Sequence, residues 1–292
     1  MNCRRADQLY IWWTLEGPAS LRDRGIKLTE FDDTFHLTMT YRQDSGIYQP
    51  YNTAYEVFNK KKTANFDEEI DNLIRNKTNL ALWIVSNDWL PGAKRRKKLA
   101  AQLMKAGLDL DARGRLFPDA PKVPSKTEED FIEFISVYKF YLSFENQYHC
   151  KDYFTEKLWH HGYLAETVPI IWGGVKDDYK SVLPPDSFIF AEDYSPEDLV
   201  NYIHYLDNND TAYKEYFKWR GLEPYQIPQY NRATGLCQLC RMIHGINIDN
   251  IFSPLHNDKG SDFVPHFNNR TVPQTIHSLK HEIFGKEYTE CH

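Results

Sequence analysis

Residues 138–157, YKFYLSFENQYHCKDYFTEK, limit what this chain can become more than any other stretch. The first seven alternate. Phe140, Leu142 and Phe144 fall on one face of a strand, Tyr141 and Ser143 on the other. So many bulky and aromatic side chains suit a pleated, largely buried strand. A polar loop over 145–152 follows. Thr155 is then a candidate helix N-cap, with Glu156, Lys157, Leu158 and Trp159 behind it. A strand that runs through a loop into a helix start presents free backbone N–H groups and the positive end of a dipole, which suit a phosphate. Lys157 places a cation in that first turn, where the dipole favours an anion. The placement is unfavourable unless something anionic sits there. Composition alone does not separate this reading from a surface loop with a stray lysine.

The same stretch resembles the signature of the α1,3-fucosyltransferases, glycosyltransferase family 10, in which a YKFYLxFEN strand runs into a DYxTEK helix start. The likeness continues through Leu158, Trp159, VPIIWG (168–173), Tyr179, PPDSFI (184–189), Ser195-Pro196, Leu199, Leu206-Asp207 and YFKWR (216–220). It reaches back to Trp13-Thr14-Leu15-Glu16 and TYRQDS (40–45). The resemblance implies a GT-B-like α/β fold: two Rossmann-like, doubly wound domains facing a cleft, the first truncated at its N-terminus. It also implies an inverting transfer of L-fucose from GDP-β-L-fucose to O3 of N-acetylglucosamine in a glycan. An inactive or lectin-like donor-binding remnant of the same fold is the alternative.

Length and composition agree with more than one core. The chain has 292 residues, 41% hydrophobic and 15% aromatic. Its net charge of −6 argues against a general nucleic-acid binder, although Lys94, Arg95, Arg96, Lys97 and Lys98 form one basic run. No apolar run approaches the roughly 20 residues of a membrane span, and no signal peptide is visible. The resembling family is anchored in the Golgi membrane, so the expectation is a lumenal Golgi domain whose anchor lies outside this chain. Three sequons, at Asn76, Asn209 and Asn269, agree with a secretory address.

Along the chain, strands are predicted at 9–15, 35–42, 80–85, 108–110 and 168–172. Helices are predicted at 67–76, 93–105, 128–135, 155–165, 195–206 and 211–219. Strands alternating with helices in both halves mean parallel, doubly wound α/β domains. Residues 117–130 carry Pro118, Pro121 and Pro124 and read as a linker or an active-site loop. The expected division is 1–120 for the acceptor-side domain, 121–230 for the GDP-fucose domain and 231–292 for a tail. That tail contains Cys237-Gln238-Leu239-Cys240. Such a pair suits a redox couple, half a zinc site or a disulfide. The resemblance favours a disulfide between Cys237 and Cys240.

Glu16 ends an aromatic strand just before Gly17-Pro18, where a carboxylate can face a cleft. The resemblance makes it the general base, with burial beside Trp12, Trp13 and Pro18 expected to raise its pKa. Asp44 and Glu145 are the next candidates. Arg96 and Lys157 are matched to the cations that stabilise the departing diphosphate, with Arg95 a fallback for Arg96. Glu156, Asn146, Tyr141, Tyr153, Ser86, Asn87 and Val85 match donor-contacting positions, and Tyr41 a cleft-facing one. No suitably placed DxD motif occurs. No essential metal or other cofactor is therefore implied, with Mn2+ at most stimulatory. The partners implied are GDP-fucose and a glycan, with no nucleic acid. The 145–153 loop is one residue longer than the family pattern and carries Cys150, which leaves the acceptor open between a lactosamine and an N-glycan core.

Overall fold

The computed structural model describes residues 8–58, 65–124, 127–229, 231–244, 276–279 and 283. Two all-parallel sheets organise them. The smaller has the order β1-β2-β3, with β1 Ile11–Thr14, β2 Leu37–Thr40 and β3 Ile47–Tyr48. The larger has the order β5-β4-β6-β7-β8, with β4 Asn79–Ile84, β5 Leu110–Arg113, β6 Tyr138–Phe144, β7 Val168–Trp172 and β8 Ile189–Phe190. Parallel pairing runs throughout it. The strand expected at 108–110 lies slightly later, and the remaining predicted strands fall within a residue or two of their expected ranges.

β6 is the central strand, and all of its residues are buried. Its alternation therefore describes two dry faces. Parallel sheets carry helices on both sides, so a central strand must be apolar on both. Phe140, Leu142 and Phe144 enter the main core with Trp83, Leu103, Ile170 and Ile203. Tyr141 enters the other layer with Leu82, Ile135 and Ala165. Each such side chain contributes about 2 kcal/mol on burial.

Helix ends obey local rules. Thr155 caps as expected, its hydroxyl accepting from the Lys157 N–H. Ser195 caps the helix Pro196–Asp207, with Pro196 at the first position, where no N–H is required. The helix expected over 155–165 is α-helical only at Glu156–Leu158 and then widens into a π-helical turn, Trp159–Leu164.

The expected domain division is corrected in two places. β4 and β5, assigned to the first domain, belong to the larger sheet, because β4 pairs with β6 (Ala81 beside Phe140, Leu82 beside Tyr141). The proline-bearing stretch after β5 leads to the helix Glu128–Ser136, which returns the chain to β6. It is a crossover within one sheet, and in sequence a crossover and a linker look alike. The boundary falls instead between β3 and β4. The helix Phe66–Arg75 already packs into the large core through Ile70, Leu73 and Ile74.

The tail is no separate unit either. The helix Gly235–Ile243 lies on the first sheet, where Tyr48 N donates to Gln238 Oε1 at 2.8 Å and Met242 packs with Met39 and Ile47. Leu279 and Ile283 join Leu21 and Leu28. The chain thus builds the first unit, then the second, and comes back.

The cysteine expectation is also corrected. Cys237 and Cys240 are exposed and free, three residues apart on a continuous helix. Their side chains leave adjacent turns side by side, and nothing bends them together. Cys150 is disulfide-bonded, with its partner outside the described residues.

Candidate active site

The larger sheet has one topological switch point, between β4 and β6. From β4 the chain turns through the helix Pro91–Lys105 toward β5, and from β6 it turns through 156–164 toward β7. Ligands of open α/β sheets bind in the crevice that such a divergence leaves at the carboxyl ends of the strands. Arg96 sits in this crevice. It is 2% exposed; Nη1 donates to Phe144 O at 2.8 Å and Nη2 to Asn87 O at 2.9 Å, tying the ends of both strands together. Its Nε is buried with no hydrogen-bond partner, and so is Asn146 Oδ1 nearby in sequence to Phe144. Orphaned buried polar atoms are rare in folded proteins, and these two are open to a polar partner. Arg95, the fallback, is turned away, stacked 4.6 Å over the Tyr148 ring. Of the two, Arg96 is the one whose side chain lies between the strand ends.

Lys157 lies in the same region and is not a lone cation. Its Nζ donates to Thr155 Oγ1 and Glu156 Oε1, both at 2.8 Å, and stands 3.6 Å from Glu145 Oε2. Glu145 is 1% exposed and accepts from Thr155 N and Oγ1. Burial pushes its carboxyl above the ordinary range, against the pull of Lys157. Burial opposes ionisation of Glu156 too, but the adjacent Lys157 outweighs it and holds that carboxyl at about 2. Sequence reasoning placed Glu145 only among substitute bases. In the structure it is the buried counter-charge beneath Lys157.

The remaining matched residues divide into two groups. Ser86, Asn87 and Asn146 are at least partly accessible around the crevice, where Asn87 also fixes its own loop by accepting from Trp89 N. Val85, Tyr141, Tyr153 and Tyr41 are 0–4% exposed and are corrected from ligand-lining to supporting roles. Val85 belongs to the main core. The Tyr141 hydroxyl meets His161 Nδ1 at 2.7 Å. Tyr153 packs edge-on against Tyr41 and Tyr51, with ring centroids 4.9 and 6.0 Å apart. These tyrosines were expected to touch ligand because they match family positions that do; here Tyr141 packs within the larger sheet's layer, and Tyr153 with Tyr41 and Tyr51 joins the two units.

His161 yields a pH prediction. Burial drives its pKa down to about 4, well below the ordinary value near 6.5. Between those values the unfolded chain binds a proton that the folded chain refuses. Stability is therefore full above about pH 6.5 and falls as the pH drops toward 4, by up to about 3 kcal/mol. Melting curves of the wild type and His161→Gln over that range check this: the variant's Tm should fall less.

Glu16 lies on the first unit, two residues past the end of β1. The Tyr51 hydroxyl donates to Leu15 O at 2.7 Å, and the Tyr51 ring reaches Tyr153 in the segment after β6. At the end of β2, Gln43 N and Nε2 donate to the two Asp152 oxygens at 3.0 and 2.7 Å. The carboxyl ends of the two sheets thus meet at the 145–153 loop. The desolvated setting expected for Glu16 is corrected. Its side chain is 40% exposed and pairs with Arg24 at 3.0 Å, while Trp13 points outward, 66% exposed. Asp44 is held by Arg42 and Lys151, well below the usual carboxylate range. That makes it a poor proton acceptor. Tyr51, Gln43 and Asp152 fall in legible motifs, but their contacts with one another's loops are not legible, because a contact between distant loops leaves no local pattern.

Asn76 is exposed after the helix Phe66–Arg75, as a glycan acceptor needs. Asn209 has other work: its Oδ1 caps the helix Asp210–Lys214 by accepting from Ala212 N. Asn269 lies outside the described residues. Among the described residues no group of three or more His, Cys, Asp or Glu is placed to hold a metal ion, and no helix is long and apolar enough to cross a membrane.

Comparison with known proteins gives two family matches. A family described as glycosyltransferase family 10 (fucosyltransferase), C-terminal, matches residues 74–257, and one described as fucosyltransferase, N-terminal, matches residues 1–52. The gap between them coincides with the gap between the two sheets. A 4-galactosyl-N-acetylglucosaminide 3-alpha-L-fucosyltransferase of Pan troglodytes is 35% identical over 238 residues, 81% of this chain and 60% of that protein. A 3-galactosyl-N-acetylglucosaminide 4-alpha-L-fucosyltransferase of Pongo pygmaeus is 36% identical over 81% of this chain and 58% of its own. The chain thus spans about 60% of the length of the curated relatives it matches. A solved α1,3-fucosyltransferase aligns with a TM-score of 0.48 and 21% identity, over 78% of this chain and 67% of that one.

Proposed function

Because the chain belongs to glycosyltransferase family 10, the fucosyltransferases, we propose that it moves L-fucose from GDP-β-L-fucose to O3 of N-acetylglucosamine in a glycan, with inversion. The observation that carries this reading is the buried guanidinium of Arg96 at the switch point, with its unpartnered Nε beside the helix start that bears Lys157. A nucleoside diphosphate suits that crevice: its charge meets two cations and a helix N-terminus. The curated relatives are named for transfer of fucose to the 3- or 4-position of galactosyl-N-acetylglucosaminides.

In the proposed reaction Glu16 takes the proton of the acceptor O3 hydroxyl. O3 forms a bond to fucose C1 as the bond from C1 to the β-phosphate oxygen breaks. The electron pair leaves with GDP. Arg96 and Lys157 stabilise the charge that grows on the departing diphosphate, an effect on the order of 3 kcal/mol for one well-placed group. Inversion requires base and leaving group on opposite sides of the sugar, which supports placing the base on the first unit and the diphosphate on the second. Ser86, Asn87 and Asn146 are the accessible side chains proposed to hold the donor. The setting proposed is the Golgi lumen, and the acceptor glycan is carried by a glycoprotein.

The test is incubation with GDP-fucose and two defined acceptors, a lactosamine and an N-glycan core, followed by mass spectrometry of the glycan and assay of free GDP. A gain of one deoxyhexose with one GDP per transfer is expected. GDP binding without transfer to either acceptor would count against the reading.

A further inference from the structure

We propose that Gln147 is a positioning residue that sets the base segment of the first unit against the donor crevice of the second, an inference that rests on the fucosyl-transfer reading. Gln147 belongs to the loop after β6, next to Asn146, and is 0% exposed. Its side chain reaches across to the helix Pro18–Asp23, which begins two residues after Glu16. That helix has Gly17 at its N-cap and therefore no side-chain cap of its own. The N–H groups of a first turn need acceptors, and a capping oxygen normally takes the second or third of them. Gln147 supplies the missing acceptor from the other unit: its Oε1 accepts from Ala19 N at 2.9 Å, and its Nε2 donates to Ser20 Oγ at 3.3 Å.

The surroundings are shaped to this one residue. A Cβ on Gly17 would lie 2.2–2.4 Å from the Gln147 amide. A Cβ on Gly92, in the first turn of the helix that carries Arg96, would lie 2.6 Å from Gln147 Cα. A Cβ on Gly173, just past β7 and at φ +105°, would lie 2.9 Å from Gln147 O. Three segments thus close on Gln147 with no room for a methyl group. One carries the base, one carries Arg96 and one ends a sheet strand. Glu16 itself is partly exposed and paired with Arg24, so its segment is held against the second unit from both sides, by Tyr51 at Leu15 O and by Gln147 at Ala19 N. A misplacement of about 1 Å of a reacting group can cost on the order of 10²-fold in rate.

The informative variant is Gln147→Met, which keeps the volume and removes the hydrogen bonds to Ala19 N and Ser20 Oγ. A loss of about 10-fold or more in kcat is expected, with the KM for GDP-fucose and the affinity for GDP within about 3-fold of wild type. Gln147→Glu keeps the acceptor for Ala19 N and should recover part of that loss. A second readout is independent of turnover. Hydrogen exchange of the Ala19 amide should quicken by at least 10-fold in Gln147→Met, while residues 141–158 exchange as in wild type. Unchanged exchange at Ala19 overturns the inference, whether or not the protein transfers fucose. Faster exchange with undiminished kcat also overturns it, as does GDP affinity falling in step with kcat, which would make Gln147 a support of the donor loop alone. A wild type that binds GDP and transfers nothing would sink the fucosyl-transfer reading, while the exchange result still decides the joint.

Discussion

Glu16→Gln should bind GDP and GDP-fucose as wild type does and lose 10²- to 10⁴-fold in kcat, the range for removal of a general base. The separation of binding from turnover follows from the geometry. Glu16 belongs to the first unit, at the end of β1, and the proposed diphosphate contacts all belong to the second. Replacing a carboxylate by an amide of the same shape keeps a hydrogen-bond partner for Arg24, so the turn at Gly17-Pro18 has no reason to move. Glu16 has no deep burial here, and its pairing with Arg24 must loosen before the carboxylate can take a proton. A second variant tests that point: Arg24→Ala should retain or raise kcat near neutral pH. Calorimetry with GDP and initial rates with a lactosamine acceptor measure both quantities on each protein. A kcat for Glu16→Gln within a few-fold of wild type would remove Glu16 from the mechanism. Asp44 could not inherit the role easily, since Arg42 and Lys151 hold its carboxyl well below the usual range and so weaken it as a proton acceptor. Nor could Glu145, buried behind Lys157.

What could be read in the sequence, and what could not, follows the range of the interactions. β6, the Thr155 cap and the Ser195-Pro196 start are set by neighbours within a few residues, and periodicity and capping rules find them. The basic run is legible in the sequence, but the difference between Arg95 and Arg96 is not: Arg96 is buried between two strand ends and Arg95 lies on an aromatic ring. The domain boundary was missed because Pro118, Pro121 and Pro124 have the composition of a linker, whereas the pairing of β4 with β6 joins residues far apart in the chain. Tyr141 and Tyr153 match ligand-contacting positions of the motif. They are the packed layer on which that motif rests. Gln147 had no signal at all, since a polar residue in a polar loop is the most ordinary thing a sequence can show.

Lys157→Ala is expected to fail twice, once in folding and once in donor binding, and a second substitution should separate the two. In the folded chain Lys157 faces Glu145, whose side chain is 2% exposed, and Glu156, whose side chain is 45% exposed. Removing the ammonium leaves Glu145 buried without its nearest cation, a change that costs about 3 kcal/mol or more when one partner of a buried pair is deleted. Glu156 can turn to water and contributes little to that loss. Urea unfolding of Lys157→Ala should therefore show a much lower midpoint at pH 7, partly regained at lower pH as Glu145 takes a proton. Glu145→Gln keeps a side-chain oxygen for Thr155 N and Oγ1 without the charge, so Lys157→Ala combined with Glu145→Gln should recover most of the stability. It should not recover the donor. The diphosphate loses a cation in either background, and a loss of about 10²-fold in kcat/KM for GDP-fucose is expected, equivalent to roughly 2.7 kcal/mol. If the double variant stays as unstable as Lys157→Ala, the charge on Glu145 is not what Lys157 offsets. If it regains stability and donor use together, Lys157 serves the fold alone and Arg96 is left to hold the phosphates.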